Sequence, residues 1–204
     1  MKTRIAAALL FSAVMATAGC YQQGPATTVQ RTNANTQVDL SGNWNDTDAN
    51  QVANAMIKDC LSRPWASQFK QEKGRKPVVK LYPIRNRSSE HINTKFFTKQ
   101  VEREILNSGI ADVVAASDET GAARAERRDQ AANASDKTVK SNQQETGTDF
   151  VLNGWVISSN DAAGGAEVRA YLTTMELVNV QSQKKVWIGQ KRIKKVVQRR
   201  SSQW

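Results

Sequence analysis

Residues 149–158 read DFVLNGWVIS, the most apolar strand-like run of the chain, and the residues after it decide the fold. Residues 160–165, NDAAGG, carry two glycines and form a hairpin tip. Residues 167–180 and 184–197 are rich in β-branched and aromatic side chains at alternating positions, and Gln181-Ser182-Gln183 joins them as a second tight connection. Runs of this kind, separated by such short polar links, predict a three-strand antiparallel meander.

Upstream of the meander the period changes. Residues 46–61 place Val52, Met56, Ile57, Cys60 and Leu61 on one helical face, with Asp46 or Thr47 as the expected cap and Pro64 as the stop. Trp44 and Trp65, on either side of this helix, read as core plugs. Residues 78–84 (VVKLYPI) form a strand that Pro83 ends or leaves with an exposed edge, because proline cannot donate to a ladder. Residues 85–91 follow as a polar loop. A helix over 94–107, capped by Asn93, carries Phe96, Phe97, Val101, Ile105 and Leu106, and Gly109 sits where a left-handed stop belongs. A second strand covers 111–116. Ser117 opens a third helix that is almost entirely charge and alanine, so it covers the sheet thinly. Residues 134–148 read as loop plus a short helix capped by Ser135 or Asp136. Strand and helix alternate first and hairpins follow. That order predicts an α/β fold: a single domain with a mixed sheet of about five strands flanked by helices.

The first twenty residues are of another kind. Lys2 and Arg4 precede an apolar run over 5–18, and Thr17-Ala18-Gly19 leads into Cys20. A basic start, a short apolar stretch and small residues before a cut site describe a secretory signal over residues 1–19, too short for a stable span. A cysteine directly after those small residues resembles a bacterial lipobox, in which the thiol receives a diacylglycerol. Thr17 stands where such boxes usually carry Leu. Residues 20–37 are then a lipidated cysteine and a Gln-, Thr- and Asn-rich tether, and the domain occupies 38–204. At about 3.3–3.6 Å per residue that tether reaches roughly 60 Å at most.

The 204-residue chain carries a net charge of +10, and loss of Lys2 and Arg4 with the signal leaves +8. Residues 184–204 hold eight Lys or Arg and no acid, so the basic character is local. Within it, Lys191, Arg192, Lys194 and Lys195 fit either a charged edge strand that resists aggregation or a patch for an anionic partner. For an exported protein that partner is an anionic polymer, lipid or acidic protein, not nucleic acid. Arg85, Arg87 and His91 form a second polar cluster, in the loop after the first strand.

Little in the chain points to catalysis. His91 is the only histidine, which excludes a histidine triad and a multi-histidine metal centre by counting. No phosphate-binding or nucleophile-elbow motif occurs. Carboxylate pairs such as Asp46/Asp48 and Asp118/Glu119 sit at helix starts, where the helix dipole favours acids. Cys60 lies among apolar residues and reads as a small buried hydrophobe; with Cys20 acylated it has no disulfide partner. The expectation is a protein that is not an enzyme and needs no metal or cofactor.

Several stretches in a fixed order carry a family resemblance. They are Asn43-Trp44-Asn45 before a helix, a Val/Leu strand leading to Asn86-Arg87-Ser88, and Ile92-Asn93 before a helix that ends in Asn107-Ser108-Gly109. Later come residues 147–154 (GTDFVLNG), Leu177-Val178 and residues 185–189 (KVWIG). Together with the lipobox they resemble the LpoB family, outer-membrane lipoprotein activators of penicillin-binding proteins. The resemblance implies a fold similar to the TolB N-terminal domain. It also implies a lipid anchor in the outer membrane, facing the periplasm, and docking on a non-catalytic domain of a bifunctional class A penicillin-binding protein. Peptidoglycan synthesis by that partner would be stimulated, with Asn86, Arg87 and Ser88 as the contact loop by resemblance. Tyr21 after the cysteine agrees with outer-membrane sorting. The tether is shorter than the Pro-rich linker of the best-known members, and the basic C-terminal strand lies outside the pattern. The alternatives are a lipoprotein subunit of a secretion or surface-fibre assembly, and a basic binder of anionic envelope polymer such as peptidoglycan.

Overall fold

Asn45 starts the domain's first helix, and it does so with a reciprocal pair of bonds. Its side-chain oxygen accepts from the Asp48 N–H at 3.0 Å, and the Asp48 carboxylate accepts from the Asn45 N–H at 3.0 Å. This capping box satisfies two donors that a helix end leaves open. The cap lies one residue before the expected Asp46 or Thr47, because only Asn45 has a partner acid three residues on. Helix α1 (Asp46–Ser62) buries Val52, Ala53, Met56, Ile57 and Cys60. The computed structural model describes residues 28–33 and 36–198. The signal, Cys20, most of the tether, Arg199 and Arg200 lie outside the described residues. The chain divides into residues 1–34 and a compact unit over 35–204; of the first, residues 28–33 are exposed and form no helix or strand.

Pro64 stops α1, as its missing N–H requires, but it also precedes a helix that the sequence pattern does not reveal. That helix, α2 (Trp65–Lys73), buries Trp65, Ala66 and Phe69 and ends on Gly74 in the left-handed conformation, φ +69°. Trp65 is a core plug as expected, with its indole N–H donating to the Cys60 carbonyl at 2.9 Å. Strand β1 (Val78–Leu81) follows, and Tyr82 donates one more bond, to the Leu152 carbonyl. Pro83 interrupts the ladder without ending it. Pairing resumes over β2 (Arg85–Asn86), so the polar loop begins two residues later than its composition suggests. Helix α3 (Thr94–Ser108) buries Phe97, Val101 and Ile105 but leaves Phe96 and Leu106 about half exposed, so its apolar stripe is narrower than expected. Asn93 holds the cap position without a side-chain bond, and Gly109 makes the left-handed stop at φ +66°. Strand β3 (Asp112–Val114) and helix α4 (Thr120–Asn133) come next. Helix α4 buries nothing, in line with its alanine and charge. Residues 134–148 hold turns rather than a short helix: the Ser135 carbonyl accepts from Thr138 and Val139, and helical bonding stops there.

Three strands of 14 residues complete the sheet: β4 (Phe150–Ala163), β5 (Ala166–Asn179) and β6 (Lys185–Gln198). The expected tip over 160–165 shrinks to Gly164-Gly165, with φ of +58° and +81°, and the strands extend to meet it. The sheet has six strands in the order β3-β1-β4-β5-β6, with β2 paired on β4. Pairs β1–β3, β1–β4 and β2–β4 are parallel, whereas β4–β5 and β5–β6 are antiparallel. It is the mixed sheet that the change of period foretells.

One face of this sheet is the core. Val79, Leu81, Phe150, Leu152, Val156, Tyr171, Met175, Leu177 and Trp187 pack there with the buried faces of α1, α2 and α3. Phe150 meets both Trp65 and Phe69 edge-on at ring-centroid distances of 5.4 Å, tying α2 to the start of β4. Trp187 lies flat along β6 over Gly189 and donates its indole N–H to Asp59 at 2.7 Å, tying α1 to the last strand. A Cβ at position 189 would overlap that ring. Among the described residues no helix is long and apolar enough to cross a membrane.

Gly189→Ala is therefore expected to push Trp187 off Asp59 and cost about 1–3 kcal/mol. Urea unfolding followed by tryptophan fluorescence reads the change. A variant as stable as the parent would show that the ring has room to move.

Candidate functional site

The polar residues at one end of the domain are organised around a single ammonium. Lys195, on the helix-facing side of β6, reaches Asp48 at 2.6 Å, Asp39 at 2.9 Å and the Asn43 carbonyl at 2.9 Å. A lysine has three N–H donors, and all three are used. Burial alone would lower the Lys195 pKa; hydrogen bonds to Asp48 and Asp39 outweigh that and raise it. Asp39 drops to about 2, held there by hydrogen bonds from Gln37, Lys195 and Asn45. Asp48 is 4% exposed, so one buried carboxylate both caps α1 and neutralises the largely covered lysine.

The segment fixed in this way, residues 43–45, reaches the loop between β2 and α3. The Trp44 N–H donates to Glu90 at 3.2 Å, and Trp44 packs edge-on against Tyr171 at 5.5 Å. The Tyr171 hydroxyl donates to Glu90 at 2.6 Å and lies 2.9 Å from the Gly42 carbonyl. Burial, then the bond to Glu90, raises the Tyr171 pKa. Arg169 pairs with Glu167 at 2.6 Å and Glu90 at 3.3 Å, and also donates to Asn43. Glu90 is thus the inner anchor of the loop.

Within the loop, the three residues singled out by resemblance have different tasks. Asn86 donates to the Glu90 carbonyl at 2.7 Å and accepts from the Ser88 N–H and hydroxyl at 2.9 and 2.6 Å. Asn86 and Ser88 are thereby occupied in shaping the loop. Arg87 is different: its N–H is fixed to the Val156 carbonyl at 2.8 Å, while its guanidinium lies over the Trp155 ring at 5.5 Å and has no acid partner among the described residues. A cation stacked on an indole is held in place and keeps its donors free.

Trp155 belongs to the sheet face opposite the core. Strand alternation places Ile157, Leu172, Ile188, Arg192 and Lys194 on that face, and register puts Arg85 beside Trp155. Ile157, Ile188 and Val196 are 39%, 56% and 63% exposed. The same alternation divides the basic quartet. Arg192 and Lys194 stand on the open face; Lys191 and Lys195 stand on the helix side, and Lys195 is consumed by its carboxylates. His91 is exposed beside the loop and does not join Arg87.

The remaining candidates have local roles. Asp46 is exposed, and Glu119 pairs with Lys99. Burial pushes the Cys60 thiol up to about 12, the behaviour of an inert core cysteine. Among the described residues no group of three or more His, Cys, Asp or Glu is placed to hold a metal. Sequence reasoning missed Glu90, Tyr171, Arg169 and Trp155. Arg169 and Tyr171 follow Glu167 in the inward row of β5, a polar run before Thr173, Met175 and Leu177 that was available in the pattern; Glu90 gave no signal, because its partners are distant in sequence.

Fold and surface together define a small α/β domain with a mixed sheet, an internally braced loop after β2 and an exposed outer sheet face. The model of the peptidoglycan-synthase activator family LpoB matches residues 48–193, and the chain belongs to that family. The chain is similar to the NMR structure of Escherichia coli LpoB, 15% identical over 97% of this chain and 96% of that one, with a TM-score of 0.40. It is similar to the LpoB C-terminal domain from Salmonella enterica, at 17% identity over 72% and 98%, TM-score 0.37. It is also similar to lipoprotein GNA1162 from Neisseria meningitidis, at 16% over 62% and 88%, TM-score 0.35. At such scores the family model alone carries the assignment. No curated protein matches the sequence.

Lys195→Met leaves Asp48 buried and unpaired, which is expected to cost about 3–5 kcal/mol in denaturant unfolding. The pH profile has a definite sign. Asp39 contributes stability above its ordinary value of 3.8 that is lost as pH falls towards about 2. Lys195 contributes stability below its ordinary value of 10.5 that is lost as pH rises past its raised folded value. Stability of the parent should hold between these limits, and the alkaline loss should shrink in Lys195→Met. An unchanged alkaline limb would remove Lys195 from the account.

Proposed function

We propose that this chain is an outer-membrane lipoprotein, acylated at Cys20, that stimulates a bifunctional class A penicillin-binding protein by direct contact. The match to the peptidoglycan-synthase activator family over residues 48–193 carries this reading. The domain acts as a regulator rather than an enzyme. By binding one conformation of the synthase better than another, it shifts that enzyme's population towards the active form.

The loop over 86–88 is the docking element in this reading, with Arg87 as its contact residue. Asn86 and Ser88 hold the loop's shape from within, and Trp155 supports the guanidinium from below. An arginine presented in this way has its planar fork ready for a carboxylate of the partner, with little side-chain entropy left to lose. Residues 20–37 would tether the domain within roughly 60 Å of the membrane, plus its own width.

The test is glycan-strand polymerisation by the class A synthases of the same organism, with and without the purified domain. Faster polymerisation is expected; no change with any of them overturns the proposal. Arg87→Ala should weaken synthase binding by about 10- to 100-fold, the loss of one charge-assisted contact, while leaving the thermal midpoint nearly unmoved. Cys20→Ala should abolish lipid labelling and release the protein from the membrane fraction. Retention there would point to another anchor.

A further inference from the structure

Strand β6 ends the sheet. It is paired with β5 on one side, and on the other its backbone makes no hydrogen bond to any described residue. In an antiparallel edge strand every second residue turns its N–H and C=O outward, so this 14-residue strand offers an unpaired ladder about 45 Å long. Beside it runs an open groove of about 600 Å³, bounded by residues 37–42 on one side and 191–198 on the other. Residues 39–43 are fixed to the helix-side face of β5 and β6 by side-chain contacts: Lys195 holds Asp39 and the Asn43 carbonyl, and Gly42 sits against Val197 and Arg169.

The charges along this edge are of one sign. Lys191 projects on the helix side, Arg192 and Lys194 on the open side, and none of the three has an acid partner among the described residues. The two acids nearest the groove, Asp39 and Asp48, are already neutralised by Lys195. A second copy pairing along β6 would set these cations against their own kind, which is destabilising. An extended segment bearing acids on alternate residues would instead set them on one face, opposite Arg192 and Lys194, while its backbone completes the ladder.

We propose that the free edge of β6 accepts an acidic, extended polypeptide segment of a partner protein by strand addition. The backbone supplies the attachment and the pairing of Arg192 and Lys194 with acids on the open face supplies the choice of partner. This goes beyond the docking loop at Arg87, uses none of its residues, and does not depend on the identity of the synthase.

The test uses the full chain and a labelled peptide, acetyl-Glu-Val-Glu-Val-Glu-Val-Glu-amide, read by fluorescence anisotropy and by amide hydrogen exchange. The peptide is expected to bind, to slow exchange at alternate residues of β6, and to lose about tenfold in affinity when the salt is raised to about 0.5 M. The double variant R192Q/K194Q, which breaks no ion pair among the described residues, should lose a similar factor with its circular dichroism unchanged. A fully N-methylated peptide, which keeps the charges but cannot donate to a ladder, should not bind. Equal binding of that peptide overturns strand addition in favour of charge attraction alone, the behaviour expected towards an anionic polymer. Slow exchange at every β6 amide before peptide is added overturns it too, because the edge would already be occupied by another copy or by this chain. Absence of binding by the unmethylated peptide also overturns it.

Discussion

The ammonium of Lys195 holds the two ends of the domain together. A buried lysine is costly unless its charge and all its donors are satisfied, and here two carboxylates and a main-chain carbonyl satisfy them. Much of the rest depends on that arrangement. One oxygen of Asp48, Oδ2, both accepts from the Asn45 N–H at the start of α1 and meets the lysine. Residues 43–45 can lie across the end of β5 and β6 because the Asn43 carbonyl is held. Trp44 then meets Tyr171 and Glu90, and Glu90 in turn fixes the loop that carries Arg87. A contact at the last strand thus determines how rigid a loop more than a hundred residues earlier can be.

Strand β4 joins the two styles of pairing. On one side it accepts β1 and β2 in parallel, on the other β5 antiparallel. Its first half lies over the helices and is buried, while its second half runs out into a ribbon with β5 and β6 whose outer face is exposed. Pro83 marks the place where the parallel neighbour gives way. The chain bends there, Arg85 and Asn86 resume the ladder, and the loop leaves the sheet next to Trp155. The place where this loop leaves the sheet therefore follows from the break in pairing at Pro83.

The architecture was legible because the period of the apolar residues changes once, from helical to alternating, and because Gly109, Gly164 and Gly165 occupy positions that need positive φ. Helix α2 was not legible: Trp65, Ala66 and Phe69 are its only buried residues, and the polar remainder hides them. The cap of α1 was misread by one residue, since Asn45, Asp46 and Thr47 are all capable acceptors and only the reciprocal bond from Asp48 distinguishes them. The site was half visible. Arg87 could be read as an exposed polar residue in a loop, but its support on Trp155 required register between β2 and β4. The basic quartet looked like one patch in sequence, and alternation along a strand split it between two faces and a salt-bridge cluster.

The clamp also orders events in time. Asp39 and Lys195 are separated by 156 residues, and among the described residues β6 pairs with no strand but β5. The first residues of the domain to leave the ribosome therefore wait for nearly the last. Until β6 is in place, Asp48 lacks its counter-ion, Trp187 cannot reach Asp59, and residues 43–45, which join the β5 contacts on Glu90, are not held. Closing so long a span comes late and slowly. A chain stopped between β5 and residue 195 would therefore keep its parallel half but lack the hold on Asp39, Asp48 and the Asn43 carbonyl, and with it the support that residues 43–45 give to the loop at Glu90.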